Sequence, residues 1–206
     1  LDKEYLCKYD VMNIDSKIQL QEAFKEPVEV RNKYSITSNE SEEDNTYLSY
    51  NTVIGTSLDK ELYLAFQILE YALLSAPGAP LKKVLLDEKI GKDIMGSYDN
   101  GILQPIFSII VKNSNTELKD KFVSIIKNTL KDLVKNGVDK KALKAGINYY
   151  EFRYREADFG SYPKGLMYGL QAFDSWLYDE TKPFMHIEEL ETFDFLKRKV
   201  DTDYFE

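Results

Sequence analysis

The feature that most constrains this chain is a hairpin signal. Asp93 to Tyr98 and Ile102 to Lys112 flank Asp99-Asn100-Gly101, and an Asn-Gly pair between two β-prone runs suits a two-residue turn whose central positions both need positive φ. The second arm, Ile106-Phe107-Ser108-Ile109-Ile110-Val111, is apolar at both parities, so it is expected to be covered on both faces. Thr46 to Gly55 alternates Leu48, Tyr50, Thr52 and Ile54 and ends in Gly, which predicts a central strand of the same sheet. Val28, Val30, Tyr34 and Ile36 share one parity and predict a further half-buried strand. Between these two, Asn39 to Asn45 offers no apolar face and reads as an exposed loop.

The remaining segments carry helical spacing. Asp59 is placed to cap a helix bearing Leu62, Phe66, Leu69 and Leu73, which Pro77-Gly78-Ala79-Pro80 stops. A short helix from Leu81 to Lys89 ends at Gly91. Thr116 is expected to cap a helix with Leu118, Phe122, Ile125, Thr129 and Leu133 on one side, ending at Asn136-Gly137, and Asp139 to start another with Leu143, Ile147, Tyr150 and Tyr154. Pro163 opens a third with Leu166, Leu170, Phe173 and Leu177 directed inward, and a fourth runs from Met185 to Lys199. Strands followed by helix after helix predict an α+β fold, a mainly antiparallel sheet covered by helices with a C-terminal helical extension. A doubly wound parallel sheet would need a β-α-β alternation that the back half lacks.

Charge and composition narrow the partners. With 27 Lys and Arg against 35 Asp and Glu, the net charge is -8, so no basic footprint exists for a phosphate backbone and nucleic acid is not an expected partner. No apolar run approaches the roughly 20 residues of a bilayer span, so no membrane partner is expected either. Cys7 is the one cysteine, which points to a reducing compartment such as the cytoplasm, with an organelle open for a longer parent chain. Leu1-Asp2-Lys3-Glu4-Tyr5-Leu6 reads as a helix already under way, as in a piece of a longer polypeptide.

The residues that could carry chemistry are few. His186 is the single histidine, so histidine base catalysis and any histidine-bound metal must pass through it. His186-Ile187-Glu188-Glu189-Leu190 has the form His-x-x-Glu-His with Leu190 in place of the second His; a ligand of a zinc site is thereby missing, and a helix-start histidine beside exposed acids is the expectation. Cys7 with His186 is the one possible Cys-His pair, and Lys8 is the one cation beside that thiol. Ile90-Gly91-Lys92 is followed by Asp93 where a phosphate loop needs Ser or Thr, and Gly160, Gly165 and Gly169 are too widely spaced for a dinucleotide turn. Glu151, Glu156 and Asp158 interleave with Arg153 and Arg155. This cluster is either an acid pair for catalysis or binding or a salt-bridged helix face, for which Glu151 with Arg155 has the favourable spacing.

Several strings together resemble the pitrilysin and insulinase type zinc metallopeptidases, in the branch of presequence protease and falcilysin. They are Tyr50-Asn51-Thr52-Val53-Ile54-Gly55, Ala79-Pro80-Leu81 leading to Ile90-Gly91, Asn148 to Gly160, Pro163-Lys164-Gly165-Leu166, and Asp174-Ser175-Trp176-Leu177-Tyr178. The resemblance implies the second, non-catalytic domain of the N-terminal half of a chain whose two halves close around a peptide. It implies a lead-in helix or connector from the preceding domain over residues 1–27, an inactive peptidase-like α+β domain over 28–180, and the start of a helical linker over 181–206. No catalytic residue, no metal ligand and no binding residue is carried over, because the zinc motif and the substrate anchors lie elsewhere in such a parent. The implied partners are the preceding catalytic domain, the C-terminal half and the peptide substrate, with zinc held by the parent and none by this chain. Such a module is expected to leave an apolar patch bare, around Cys7 and on the helices after Pro163, whereas a self-sufficient domain would bury Leu6, Trp176, Phe193 and Phe205.

Overall fold

The computed structural model describes residues 1–10, 12 and 14–206. Its strands are β1 (Thr46–Val53), β2 (Asp93–Asp99) and β3 (Ile106–Ser114), and its helices are α1 (Lys60–Glu70), α2 (Pro80–Asp87), α3 (Lys119–Asn136), α4 (Lys140–Glu156), α5 (Lys164–Trp176) and α6 (Leu190–Lys199). The three-stranded sheet has the order β1-β3-β2 and both ladders are antiparallel. The expected α+β class is what forms.

The strand that is apolar at both parities takes the centre, so β1 is an edge strand and not the central one. The hairpin between β2 and β3 is also wider than its Asn-Gly signal predicts. Asp99 pairs with Ile106, leaving residues 100–105 as a loop, because the amides of Ile54 and Ser57 donate to the carbonyls of Pro105 and Leu103 at 2.8 and 2.9 Å and hold that loop against the chain leaving β1. Residues 28–36 form no strand, and Val28, Val30 and Tyr34 are exposed. Alternation specifies a strand only where a sheet edge receives it; this segment is tethered by the Tyr34 hydroxyl on Asn45 and by Lys119 on Glu29 at 2.7 Å.

Opposed residues of antiparallel strands share a face, and the register therefore sorts the sheet cleanly. Leu48, Tyr50, Ile94, Gly96, Phe107, Ile109 and Val111 lie on one side, where they meet Leu64, Ile68, Leu74, Leu81, Leu85, Phe122 and Ile126 in one apolar core. The other side carries Ser49, Asn51 and Val53, then Met95, Ser97 and Asp99, all exposed, around half-buried Ile106 and Ile110 and a Ser108 hydroxyl donating to Asn51 Oδ1 at 2.7 Å. The helices cover one face of the sheet, not both.

Asp59 and Asp139 cap α1 and α4 as expected, accepting from the amides of Leu62 and Lys141. Thr116 instead opens a single 3-10 turn, and α3 begins at Lys119. Beyond α1 the helix widens into a π turn, Tyr71–Ser75, before Pro77. The apolar stripe of α5 faces outward, contrary to its spacing: Phe173 is 44% and Leu177 64% exposed, with Leu166 and Leu170 between them, while the small residues Ala172 and Ser175 are buried. Close approach of α5 to the core is available only through its small side chains, so the bulky ones are left outside. The last helix starts at Leu190, not Met185, and Phe193, Leu196, Val200 and Phe205 are buried in the common core. Residues 181–206, expected as a linker, thus close the domain in this structure. At the other end the expected lead-in helix is one 3-10 turn, Leu6–Lys8, followed by exposed irregular chain; Val11 and Asn13 lie outside the described residues.

Gly91 is required by a close approach and not by a phosphate. A Cβ there would lie 2.6 Å from the Lys112 carbonyl oxygen and would overlap the Val111 side chain, at the point where the Lys92 amide donates to that same carbonyl at 3.0 Å. Gly91→Ala is expected to destabilise the chain by about 1–3 kcal/mol through overpacking. Gly169→Ala, inside α5 with open space around its Cβ, is expected to stabilise by roughly 0.5–1 kcal/mol. Thermal unfolding of the two variants checks both signs.

Candidate functional site

The residues singled out in the sequence fall in three separate environments. Cys7 is exposed and its thiol donates to the Lys3 carbonyl at 3.0 Å, whereas His186 is fully enclosed; no Cys-His pair forms. Glu151 receives two hydrogen bonds from Arg155, at 2.7 and 2.9 Å, and an ion pair from Lys197 at 2.7 Å. Lys197 first, and Arg155 after it, hold its carboxyl below the usual range, so Glu151 is ionised and cannot serve as a general acid. Glu156 is exposed, and Asp158 is exposed and accepts from the Gly160 amide at 2.9 Å. The stretch from Glu151 to Asp158 is a salt-bridged helix end, which sets aside the acid-catalysis reading.

His186 departs from its expected place. It lies in the turn before α6, its ring stacked on Tyr63 of α1 with centroids 3.7 Å apart, and its Nε2 is 2.8 Å from the Ser57 carbonyl oxygen. A carbonyl only accepts, so Nε2 carries the hydrogen and Nδ1 keeps its lone pair. Nδ1 is buried without a hydrogen-bond partner among the described residues and sits 3.8 Å from Glu189 Oε1. Glu189, expected as an exposed acid, is 5% exposed. Around this pair, the Tyr63 hydroxyl donates to Asp174 Oδ2 at 3.0 Å, the Gln171 amide donates to the His186 carbonyl at 2.8 Å, and the Tyr154 hydroxyl donates to the Ile187 carbonyl while accepting from the Glu189 amide at 3.3 Å.

Helices α1, α4 and α5 and the start of α6 leave a cleft of about 200 Å³ beside these groups, lined by Tyr63, Tyr154, Phe159, Tyr168, Gln171 and Glu189 among others. A larger hollow of about 400 Å³ is walled mainly by Ala, Pro, Gly and aliphatic residues, and its one ionisable group, Asp139, is already spent capping α4. The smaller cleft therefore holds the candidate chemistry. Burial raises Glu189 to about 7, with Lys60 opposing and Asp174 adding to the rise. Burial lowers His186 to about 4, against the Ser57 hydrogen bond and with a small push from Lys60. Burial also raises Asp174, against its hydrogen bond from Tyr63.

Zinc does not fit these residues. One nitrogen of the only histidine is committed as a donor, and among the described residues no group of three His, Cys, Asp or Glu side chains is placed to share a metal ion. Catalytic zinc needs three protein ligands and an open position. Of the cleft residues, Glu189 stood in the sequence beside His186 but its burial had no local sign. Tyr63 and Asp174 lie 111 positions apart, and neither carries a motif.

The chain belongs to the pitrilysin and insulinase type family, through its Peptidase M16 inactive domain, which matches residues 3–150. It is similar to Protein HypA of Clostridium perfringens, with 41% identity over all 206 residues and 21% of that protein. It is similar also to presequence protease 1, chloroplastic/mitochondrial, of Arabidopsis thaliana, with 34% identity over 90% of this chain and 17% of that one. At 21% identity, mitochondrial presequence protease of Xenopus laevis matches 78% of the chain. The chain spans about a fifth of the length of these curated relatives. No described helix is long and apolar enough to cross a membrane.

The buried pair makes stability depend on pH in two opposed ways. Glu189 binds its proton more tightly folded than unfolded, so its contribution is complete below about pH 4.5 and is lost as pH rises through about 7. His186 is depressed, so its contribution is complete above about pH 6.5 and is lost as pH falls through about 4. Glu189→Gln removes the first dependence alone. It is expected to be more stable than the parent near pH 8 by about 3 kcal/mol, with the difference fading towards pH 4.5. Urea unfolding of both proteins across that range checks it, and a constant difference would refute the assignment.

Proposed function

We propose that this chain is a wall of the peptide-enclosing chamber of a longer zinc metalloendopeptidase that degrades unstructured peptides, with zinc and catalysis supplied by other parts of that polypeptide. The observation that carries this reading is the sheet with helices on one face only. Its open face has a polar centre, Asn51, Ser97 and Ser108, flanked by Val53, Met95 and Ile110, which suits contact with an extended chain of mixed sequence. The bare stripe of α5, where Phe173 and Trp176 stack with centroids 5.9 Å apart, supports docking on the preceding catalytic domain or the C-terminal half. Leu6 and Trp176 are exposed while Phe193 and Phe205 are buried, and bare apolar residues run through the irregular chain from Tyr5 to Tyr34 as well as along α5, a spread that supports contact with neighbouring domains. In this reading residues 1–27 lead in from the preceding domain, residues 28–180 form the inactive peptidase-like domain and residues 181–206 start the helical linker, with Phe193 and Phe205 packed back on the core. The exposed free thiol of Cys7 supports a reducing compartment, cytoplasmic or organellar; the Arabidopsis and Xenopus relatives named above are called chloroplastic or mitochondrial.

Two substitutions in the full-length polypeptide test this. Ser97→Trp, on the exposed face of the sheet, is expected to lower kcat/KM for a quenched peptide by about tenfold or more, a cost of ~1.4 kcal/mol, without changing zinc content. Phe173→Asp is expected to lower activity by loosening the domain contact, seen as faster limited proteolysis between domains. Unchanged hydrolysis in both variants would overturn the wall reading. The 206-residue chain alone is expected to retain far less than one zinc per chain after dialysis and to cleave no peptide.

A further inference from the structure

Glu189 is buried, and its carboxylate accepts no hydrogen bond among the described residues. It begins α6, yet its side chain accepts from none of the helix's free amides. No Lys or Arg among the described residues lies within ion-pair distance of it, and the neutral His186 ring beside it has its Nδ1 3.8 Å away. Leaving a charge in that position is costly, so the fold either keeps Glu189 neutral or expects a cation to reach it. Glu189 is one of the residues that line the cleft, as is Arg153.

The surroundings favour a cation. Two positive side chains are already at hand, Arg153 in the cleft lining and Lys60, whose charge acts on Glu189, but both are turned to other partners: the Lys60 ammonium donates to the Glu188 carbonyl, and Arg153 lies over the Tyr149 ring at 5.6 Å with a hydrogen bond to its hydroxyl at 3.3 Å. Asp174 and Asp158 add negative charge around the cleft. The Gln171 side chain has spent its amide on the His186 carbonyl, and its own oxygen accepts from no donor among the described residues. The remaining walls are aromatic, with Phe159 edge-on to Tyr168 at 5.5 Å and Tyr154 against Phe193 at 5.8 Å, and the faces of tyrosine rings attract ammonium and guanidinium groups. A cleft of about 200 Å³ is smaller than the roughly 300 Å³ at which small-molecule sites begin. It suits the end of one side chain.

We propose that this cleft is a subsite for one cationic side chain, an arginine or lysine of a peptide, with Glu189 as its counter-ion, the Gln171 oxygen as a second acceptor and Tyr154 and Tyr168 as walls. Only the source of that side chain rests on the peptide-enclosing reading; the site itself stands on Glu189. When the cation enters below neutral pH, the proton held by Glu189 leaves to solvent, so binding releases up to one proton.

The test is calorimetric titration of the full-length polypeptide, and of its Glu189→Gln and Tyr168→Leu variants, with acetyl-arginine methylamide, acetyl-citrulline methylamide and guanidinium chloride. The arginine probe is expected to bind with a component that Glu189→Gln weakens by about tenfold or more and Tyr168→Leu by roughly threefold. That component is expected to be absent for citrulline, which keeps the shape without the charge, and at pH 6 to release a proton, seen as a dependence of the heat on buffer ionisation. Equal binding of arginine and citrulline, or no loss in Glu189→Gln, would overturn the site. Guanidinium ion binding as tightly as the arginine probe would overturn the side-chain assignment. A double-mutant cycle showing Glu189 coupled to Arg153 in the free protein would also overturn it, since the site would then be filled from within. Should Glu189→Gln fail to fold, Tyr168→Leu on the half-buried edge of α5 still decides the matter. Unchanged hydrolysis in both Ser97→Trp and Phe173→Asp sinks the chamber wall and leaves this site standing, and binding that does not depend on Glu189 does the reverse.

Discussion

The structure depends on one strand being shared. β3 is hydrogen-bonded to β1 on one edge and β2 on the other, and its Ile109 and Val111 share one core with residues of α1, the π turn and α2, which pack across β2. The approach of the helices to that floor is close. A Cβ at Gly96 would overlap the Glu70 carboxylate and stand 2.8 Å from a Leu74 methyl carbon, so the bare backbone of β2 is what lets the helix sit down on the sheet. Glu70 is accordingly buried and its pKa is raised by that burial, with the Ser75 hydroxyl donating to it at 2.8 Å.

A sheet of three strands has little area, and the helices available to it are committed to one side. The consequence is a face of mixed polar and apolar side chains open to whatever lies next to it. α5 shows the same economy from the other direction: it touches the core through Ala172 and Ser175 and turns Leu166, Leu170, Phe173 and Leu177 away. Isolated exposed apolar residues are ordinary on protein surfaces, but a continuous stripe along a helix is not. Both surfaces follow from a core already filled by α1, α2, α3, α4 and α6.

The cleft is where α5 and α6 meet α1. Tyr63 on α1, Asp174 on α5 and His186 before α6 are drawn together by a stack and a hydrogen bond, and Glu189 is carried in beside them because α6 must bring Phe193 and Leu196 to the core. The burial of Glu189 is thus imposed by the packing of its neighbours four and seven residues on, which lie on the same helix face. That geometry leaves its carboxylate at the edge of an aromatic hollow, where the free energy of an unpaired charge can be returned by a ligand.

Local patterns in the sequence were enough to set out much of the secondary structure: the caps Asp59 and Asp139, the stop at Pro77, the strand character of the run Ile106 to Val111, and the end of α3 at Gly137, whose φ of 89° favours glycine. The family strings were equally local, and Glu151 with Arg155 was readable as a helix-face pair from spacing alone. What the sequence could not decide was which faces would find a partner. Val28 to Ile36 alternates as a strand should but meets no sheet edge. Leu166 to Leu177 repeats as a buried stripe should but meets a core with no room. Glu189 looks like any surface acid until Phe193 pulls it under. Periodicity reports which side of an element is apolar; burial is a property of the space between elements, and that is set only when residues as distant as Tyr63 and Asp174 are brought into contact.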